Sequence, residues 1–125
     1  MAEPARKTIL VVDDDPDLLT LLSMKLRRSG FEVLEAEDGN KALVLLSHTP
    51  PDLAVIDYFL PGLRVDHLCK KIKDDAKLQR IPVIMISAGA SALPPRMLAA
   101  IPADASLTKP FDADELVGHI RRLLA

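Results

Sequence analysis

Residues 9–15 read Ile9-Leu10-Val11-Val12-Asp13-Asp14-Asp15, and Pro16 comes next. Four aliphatic residues in a row, without polar alternation, suit a strand covered on both faces, as in a parallel sheet. Three acids then end it. Asp15-Pro16 is a helix start: a capping side chain followed by proline at the first helical position. Leu18, Leu22 and Leu26 recur every fourth residue, Leu19 and Leu21 widen the stripe, and Gly30 supplies the stop.

The same alternation runs along the chain. Leu53 to Ile56 and Val83 to Ile86 are apolar runs of the same kind, while Glu32 to Ala36 and Ala105 to Thr108 are more polar, as sheet-edge strands can be. Between them the spacing predicts helices over Gly39 to His48, Val65 to Lys73 and Asp112 to Leu124, each with an apolar stripe. Pro94-Pro95 opens a shorter helical segment over Arg96 to Ala100, and Pro102 ends it. Strand and helix thus alternate five times. Right-handed crossovers place such helices on both faces of one parallel sheet, an α/β fold.

Composition bounds the function. The chain has 125 residues, 49% hydrophobic and 27% charged, the balance of one ordinary globular domain. That excludes a disordered chain and a disulfide-stapled scaffold. Sixteen Lys+Arg against eighteen Asp+Glu give a net charge of −2, which speaks against wholesale binding to nucleic acid or acidic membrane. Aromatics are 3% and Trp is absent, so the core is aliphatic and stacking platforms for single-stranded nucleic acid are missing. The lone cysteine, Cys69, suits a helical core stripe and a reducing cytoplasm. No apolar run approaches the roughly 20 residues of a membrane span. Residues 1–7 lack a signal peptide's apolar core and read as a short lead-in to a domain over residues 8–125.

Ligands of open parallel sheets bind at the carboxyl ends of the strands. The first run ends in Asp13-Asp14-Asp15, the third in Asp57, the fourth in Ser87 and the fifth in Lys109. Asp13, Asp14 and Asp57 would crowd like charges in a shallow cleft and raise one another's pKa without a cation. Such an all-oxygen set suits a hard divalent ion, usually Mg2+. Lys109 and Ser87 would add a charge and a hydrogen bond for further oxygens. The constellation is a phosphoryl site with one carboxylate available as nucleophile. Asp15 is read as a helix cap. His48, His67 and His119 are read as surface residues, and Arg121-Arg122 as a favourable helix C-terminus.

Four segments carry a resemblance: residues 9–15, Pro51 to Asp57 with Leu60-Pro61 after it, Pro82 to Ala88, and Leu107 to Phe111. In this order and spacing the chain resembles the receiver domain of two-component response regulators over essentially its whole length. The resemblance implies a flavodoxin-like, doubly wound (βα)5 fold with strand order 2-1-3-4-5. It implies that Asp57 accepts a phosphoryl group from a phosphohistidine on a sensor histidine kinase or phosphotransfer protein. Asp14, Asp57 and the backbone carbonyl of Phe59 would ligate Mg2+, and Asp13 would hold a metal-bound water. Ser87 would hydrogen-bond the phosphoryl group, Lys109 would pair with it, and the Lys109-Pro110 bond would be cis. Kinase docking in the family uses the start of the first helix and the loop after the fifth strand, here Pro16, Leu18, Leu19, Pro110 and Phe111. Such a protein catalyses only its own phosphorylation and dephosphorylation. It would work in the cytoplasm, as a monomer or weak dimer, and signal to a downstream protein the sequence does not name. We expect a stand-alone regulator.

The chain departs from the family's pattern in one region. Ser106 stands where receivers usually carry Tyr, Phe or His, a ring that swings inward as the hydroxyl at the Ser87 position meets the phosphate. Arg64-Val65 replaces an Asp-Gly pair, Pro102 replaces a frequent glycine, and Pro94-Pro95 shortens a helix. The expectation is an intact phosphorylation site with a modified output surface. Two other functions compete. A pseudo-receiver scaffold would bind partners without phosphorylation, which the intact acids and Lys109 oppose. A phosphatase of the haloacid dehalogenase kind carries its nucleophile in Asp-x-Asp-x-Thr/Val after the first strand, and Asp13 to Asp17 fails at the last position.

Overall fold

The computed structural model describes residues 6–58, 65–87 and 103–125, with side chains of the second stretch from residue 67. Five strands form one parallel sheet of order β2-β1-β3-β4-β5. They are β1 (Thr8–Val12), β2 (Glu32–Ala36), β3 (Leu53–Asp57), β4 (Val83–Ser87) and β5 (Ala105–Thr108). Four described helices accompany them: α1 (Pro16–Arg28), α2 (Gly39–His48), α3 (Val65–Asp74) and α4 (Ala113–Leu124). The expected doubly wound sheet is therefore present. The segment Arg96 to Ala100 lies outside the described residues, as do Arg64, Pro94, Pro95 and Pro102.

Successive strand residues point to opposite faces, so each central strand feeds two cores. Ile9, Val11, Val55, Ile84 and Ile86 pack under α1 and α4, with Leu22, Leu26, Leu116 and Ile120. Leu10, Val12, Ala54, Ile56 and Met85 pack under α2 and α3, with Leu46, Leu68, Cys69 and Ile72. This is why β1, β3 and β4 are apolar except at one end each, Thr8, Asp57 and Ser87. Polar β2 and β5 lie at the edges, as expected.

Local chemistry sets the helix ends. Asp15 caps α1, accepting from the backbone N–H of Asp17 at 3.0 Å and of Leu18 at 3.4 Å. Asp38 caps α2 and Asp112 caps α4, so Asp112 stands just outside its helix. At the end of α1 the N–H of Gly30 donates to Arg27 O and that of Phe31 to Leu26 O, both at 3.1 Å. This bond pair needs a left-handed residue between its donors, and Gly30 has φ 98°. A methyl at Gly30 would meet nothing within 4 Å, so Gly30→Ala costs only backbone energy. It should lower unfolding free energy by about 1 kcal/mol in a urea titration.

The helix stripe needs one correction. Leu19, Leu22 and Leu26 are buried, whereas Leu21 is 63% exposed. At about 100° per residue, Leu21 falls outside the arc that Leu19, Leu22 and Leu26 share. His48 and His67 are exposed as expected. His119 is half-buried and accepts at Nδ1 from Arg122 Nη2 at 2.8 Å.

Candidate functional site

In this strand order the chain leaves β1 in one direction for β2 and returns on the other side for β3. The crevice at such a reversal lies outside the carboxyl ends of β1 and β3. Asp13 follows β1 directly and Asp57 is the last residue of β3.

Asp13 is anchored on both sides. Its N–H donates to Ala36 O at 3.1 Å, prolonging the β1–β2 ladder. Its Oδ1 accepts from the N–H of Asp15 at 2.9 Å. This turn leaves Asp13 at 1% exposure with Asp14 exposed beside it. Asp57 is 5% exposed, and the next residue, Tyr58, donates its N–H to Ile86 O at 2.7 Å, tying the loop to β4. Carboxylate oxygens of Asp13, Asp14 and Asp57 all lie within 4.8 Å of one another.

Lys109 completes the group. Its N–H donates to Ser87 O at 2.7 Å, which continues the β4–β5 ladder past Thr108. Its ammonium lies 2.8 Å from Asp57 Oδ2 and 3.5 Å from Asp13 Oδ2. Ser87 closes β4 at 4% exposure, one residue beyond Ile86, the register partner of Asp57. The Lys109-Pro110 bond is cis.

The electrostatics reflect this crowding. Burial raises the proton affinity of Asp13, the Asp15 N–H opposes it, and the charge of Asp57 raises it further. For Lys109, burial alone would lower the pKa. The hydrogen bond and charge of Asp57, with the charge of Asp13, outweigh it and hold the group above 10.5. Two buried carboxylates and an exposed third, with one ammonium among them, form a tri-carboxylate cluster able to coordinate a divalent metal. The donors are all hard oxygens, as such ions require.

The response regulator receiver domain family model matches residues 9–121. The chain belongs to the response regulator receiver family. Among its relatives, the DNA-binding dual master transcriptional regulator RpaA of Synechocystis sp. is 35% identical over 116 residues, covering 93% of this chain and 48% of that protein. The phosphate regulon transcriptional regulatory protein PhoB of Pseudomonas aeruginosa is 34% identical over 118 residues, covering 94% and 52%. This receiver chain thus spans about half the length of the curated relatives it matches. A similar solved structure is the signal receiver domain of a signal transduction histidine kinase from Syntrophus aciditrophicus. It has a TM-score of 0.85 at 31% identity, covering 94% of this chain and 89% of that one. The chemotaxis response regulator CheY4 of Vibrio cholerae superposes with a TM-score of 0.87 at 25% identity, covering 96% and 100%.

Asp13, Asp14, Asp57 and Lys109 therefore meet, and Ser87 ends the neighbouring strand. Phe59 lies outside the described residues. Ser106 is exposed in the middle of β5. The residues expected to form a docking patch differ in burial. Leu18 and Phe111 are half-buried and Pro16 and Pro110 exposed, but Leu19 is 5% exposed and belongs to the core. Leu21 lies on the exposed side of α1 beside Leu18, because positions i and i+3 share a helix face. With Leu18, Lys109, Pro110, Phe111 and Ala113, Leu21 lines an apolar groove of about 470 Å³. Helical angles alone could have found Leu21 in the sequence.

Proposed function

We propose that this receiver takes a phosphoryl group on Asp57 from a phosphohistidine of a sensor histidine kinase or phosphotransfer protein, and signals through protein contacts. The observation that carries it is the ammonium of Lys109 at 2.8 Å from a buried carboxylate at the reversal point of the sheet. In the transfer, an Asp57 oxygen forms a bond to phosphorus as the P–N bond to the donor imidazole breaks. The electron pair stays on the imidazole nitrogen, which takes a proton from solvent. Lys109 would neutralise an oxygen of the group in flight, and Ser87 would donate a hydrogen bond to another. Asp13, Asp14, Asp57 and the Phe59 carbonyl would hold Mg2+. Bound there, the ion supplies positive charge against the carboxylates and the incoming phosphoryl oxygens.

Incubation with acetyl phosphate and Mg2+ tests this. The intact mass should rise by about 80 Da, one phosphoryl group, and chelation with EDTA should suppress the rise. An unchanged mass with both reagents present would reject the phosphoacceptor reading and favour a scaffold that binds without phosphorylation.

The groove beside the site fits the apolar part of a phosphodonor protein. Leu21→Asp should slow phosphotransfer from a phosphorylated kinase about tenfold, as loss of an interface anchor does. It should leave labelling by acetyl phosphate intact, because Leu21 is 63% exposed and is neither one of the clustered acids nor Lys109. Equal loss with both donors would remove the groove from the docking surface. Ser106 offers no ring to bury, so the output is expected to run through a modified face of β5.

A further inference from the structure

We propose that Asp104, just before β5, is a positioning residue that sets the register of this strand and so delivers Lys109 to Asp57. The proposal rests on the phosphoacceptor reading for its kinetic consequence, though not for its structural one. β5 specifies its own register weakly. It is four residues long and forms one edge of the sheet. Leu107 is its one buried residue, while Ser106 and Thr108 are exposed and Ala105 is half-buried. A one-residue slip would turn every side chain to the opposite face, and Lys109 would leave Asp57 with it.

Asp104 opposes that slip with two bonds to one residue. Its N–H donates to Val83 O at 2.8 Å, and its Oδ2 accepts from the N–H of Val83 at 2.7 Å. The second bond holds the first residue of β4, whose N–H would otherwise lack this partner. The carboxylate is held in turn by Lys73. The Lys73 ammonium donates to Asp104 Oδ2 at 3.3 Å and to Ile81 O at 2.9 Å. Helix α3, the approach to β4 and the approach to β5 are thereby fastened at the end of the sheet opposite the acids. At the other end of β5, Lys109 N–H donates to Ser87 O. The pairs Ile84↔Ala105 to Ser87↔Thr108 lie between these fastenings.

The experiment compares Asp104→Ala with Asp104→Asn, below their melting temperatures, in wild-type and Lys109→Ala backgrounds. Asp104→Ala should slow acetyl phosphate labelling roughly tenfold or more, as a small misplacement of a reacting group does. Asp104→Asn keeps an acceptor for the Val83 N–H and should restore the rate. In the Lys109→Ala background the Asp104→Ala change should have little further effect, because the two act through one group. Equal slowing in both backgrounds, or none in either, would overturn the proposal. Cross-strand NMR contacts between Ser87 and Thr108 read the register without phosphorylation. They should weaken or shift in Asp104→Ala and persist in Asp104→Asn. A protein that takes no phosphoryl group at all but shows this NMR pattern would sink the phosphoacceptor reading and keep the register role. Unchanged NMR contacts in Asp104→Ala would sink the register role alone.

Discussion

Asp57→Asn protein should gain no phosphoryl mass from acetyl phosphate and Mg2+ under conditions that label the wild type, while melting at the same temperature or higher. The two halves belong together. Asparagine has nearly the shape of aspartate, so β3, buried at every position, is undisturbed. Its Oδ1 can still accept from Lys109. What disappears is the anionic oxygen that bonds to phosphorus, since an amide is a poor nucleophile and a phosphorylated amide does not form under these conditions. What also disappears is one of the negative charges crowding the cluster. Burial and the charge of Asp57 both raise the proton affinity of Asp13, so neutralising Asp57 removes one source of repulsion from the metal-free fold. A gain of about 1 kcal/mol would raise Tm by a few degrees in a domain of this size. Loss of labelling with a stable fold therefore separates chemistry from unfolding. Persistent labelling of Asp57→Asn would move the acceptor to another residue, which peptide mapping would identify.

Lys109→Ala should be damaging in a different way. Its ammonium compensates both Asp13 and Asp57, so without it the metal-free protein holds two buried carboxylates with that cation removed. Breaking a fully buried pair costs about 3–5 kcal/mol. Because the Lys109 side chain is 29% exposed, a smaller loss of roughly 1–3 kcal/mol is expected. Added Mg2+ should recover much of it by restoring positive charge. Labelling should fall by about 100-fold, the scale of losing one donor to a developing charge. The pH dependence has a definite sign. The proton on Lys109 is bound more tightly in the fold than at the ordinary 10.5. Its contribution to stability is complete below 10.5 and fades as pH rises through the higher folded value. Urea midpoints of wild type and Lys109→Ala should therefore differ most at neutral pH and converge in strong alkali. A constant difference across that range would assign the loss to packing rather than to charge.

Legibility in the sequence varies by residue. Asp13, Asp14, Asp57, Ser87 and Lys109 can be picked out because each stands at the end of a strand run, and strands of one parallel sheet end on one rim. Asp15 as a cap and Gly30 as a stop are legible because caps act within a few residues. Leu21 is misplaced on the apolar stripe because a leucine-rich helix start offers several faces, and packing on β1 and β3 selects among them. Asp104 and Lys73 give no signal. An aspartate before a polar strand and a lysine late in a helix look like solvated charges until the chain folds.

The division reflects the range of the forces. Periodicity and capping are short-range, so among the described residues the order of residues is enough to define the strands and helices, most of their starts and stops, and the acids and bases at strand ends. Long-range packing brings Lys109 to Asp57 across 52 positions and to Asp13 across 96. It turns Leu21 rather than Leu19 to the groove, and it sets Asp104 against Val83. Those meetings depend on register and crossover between separate strands, and register is a property of the assembled sheet.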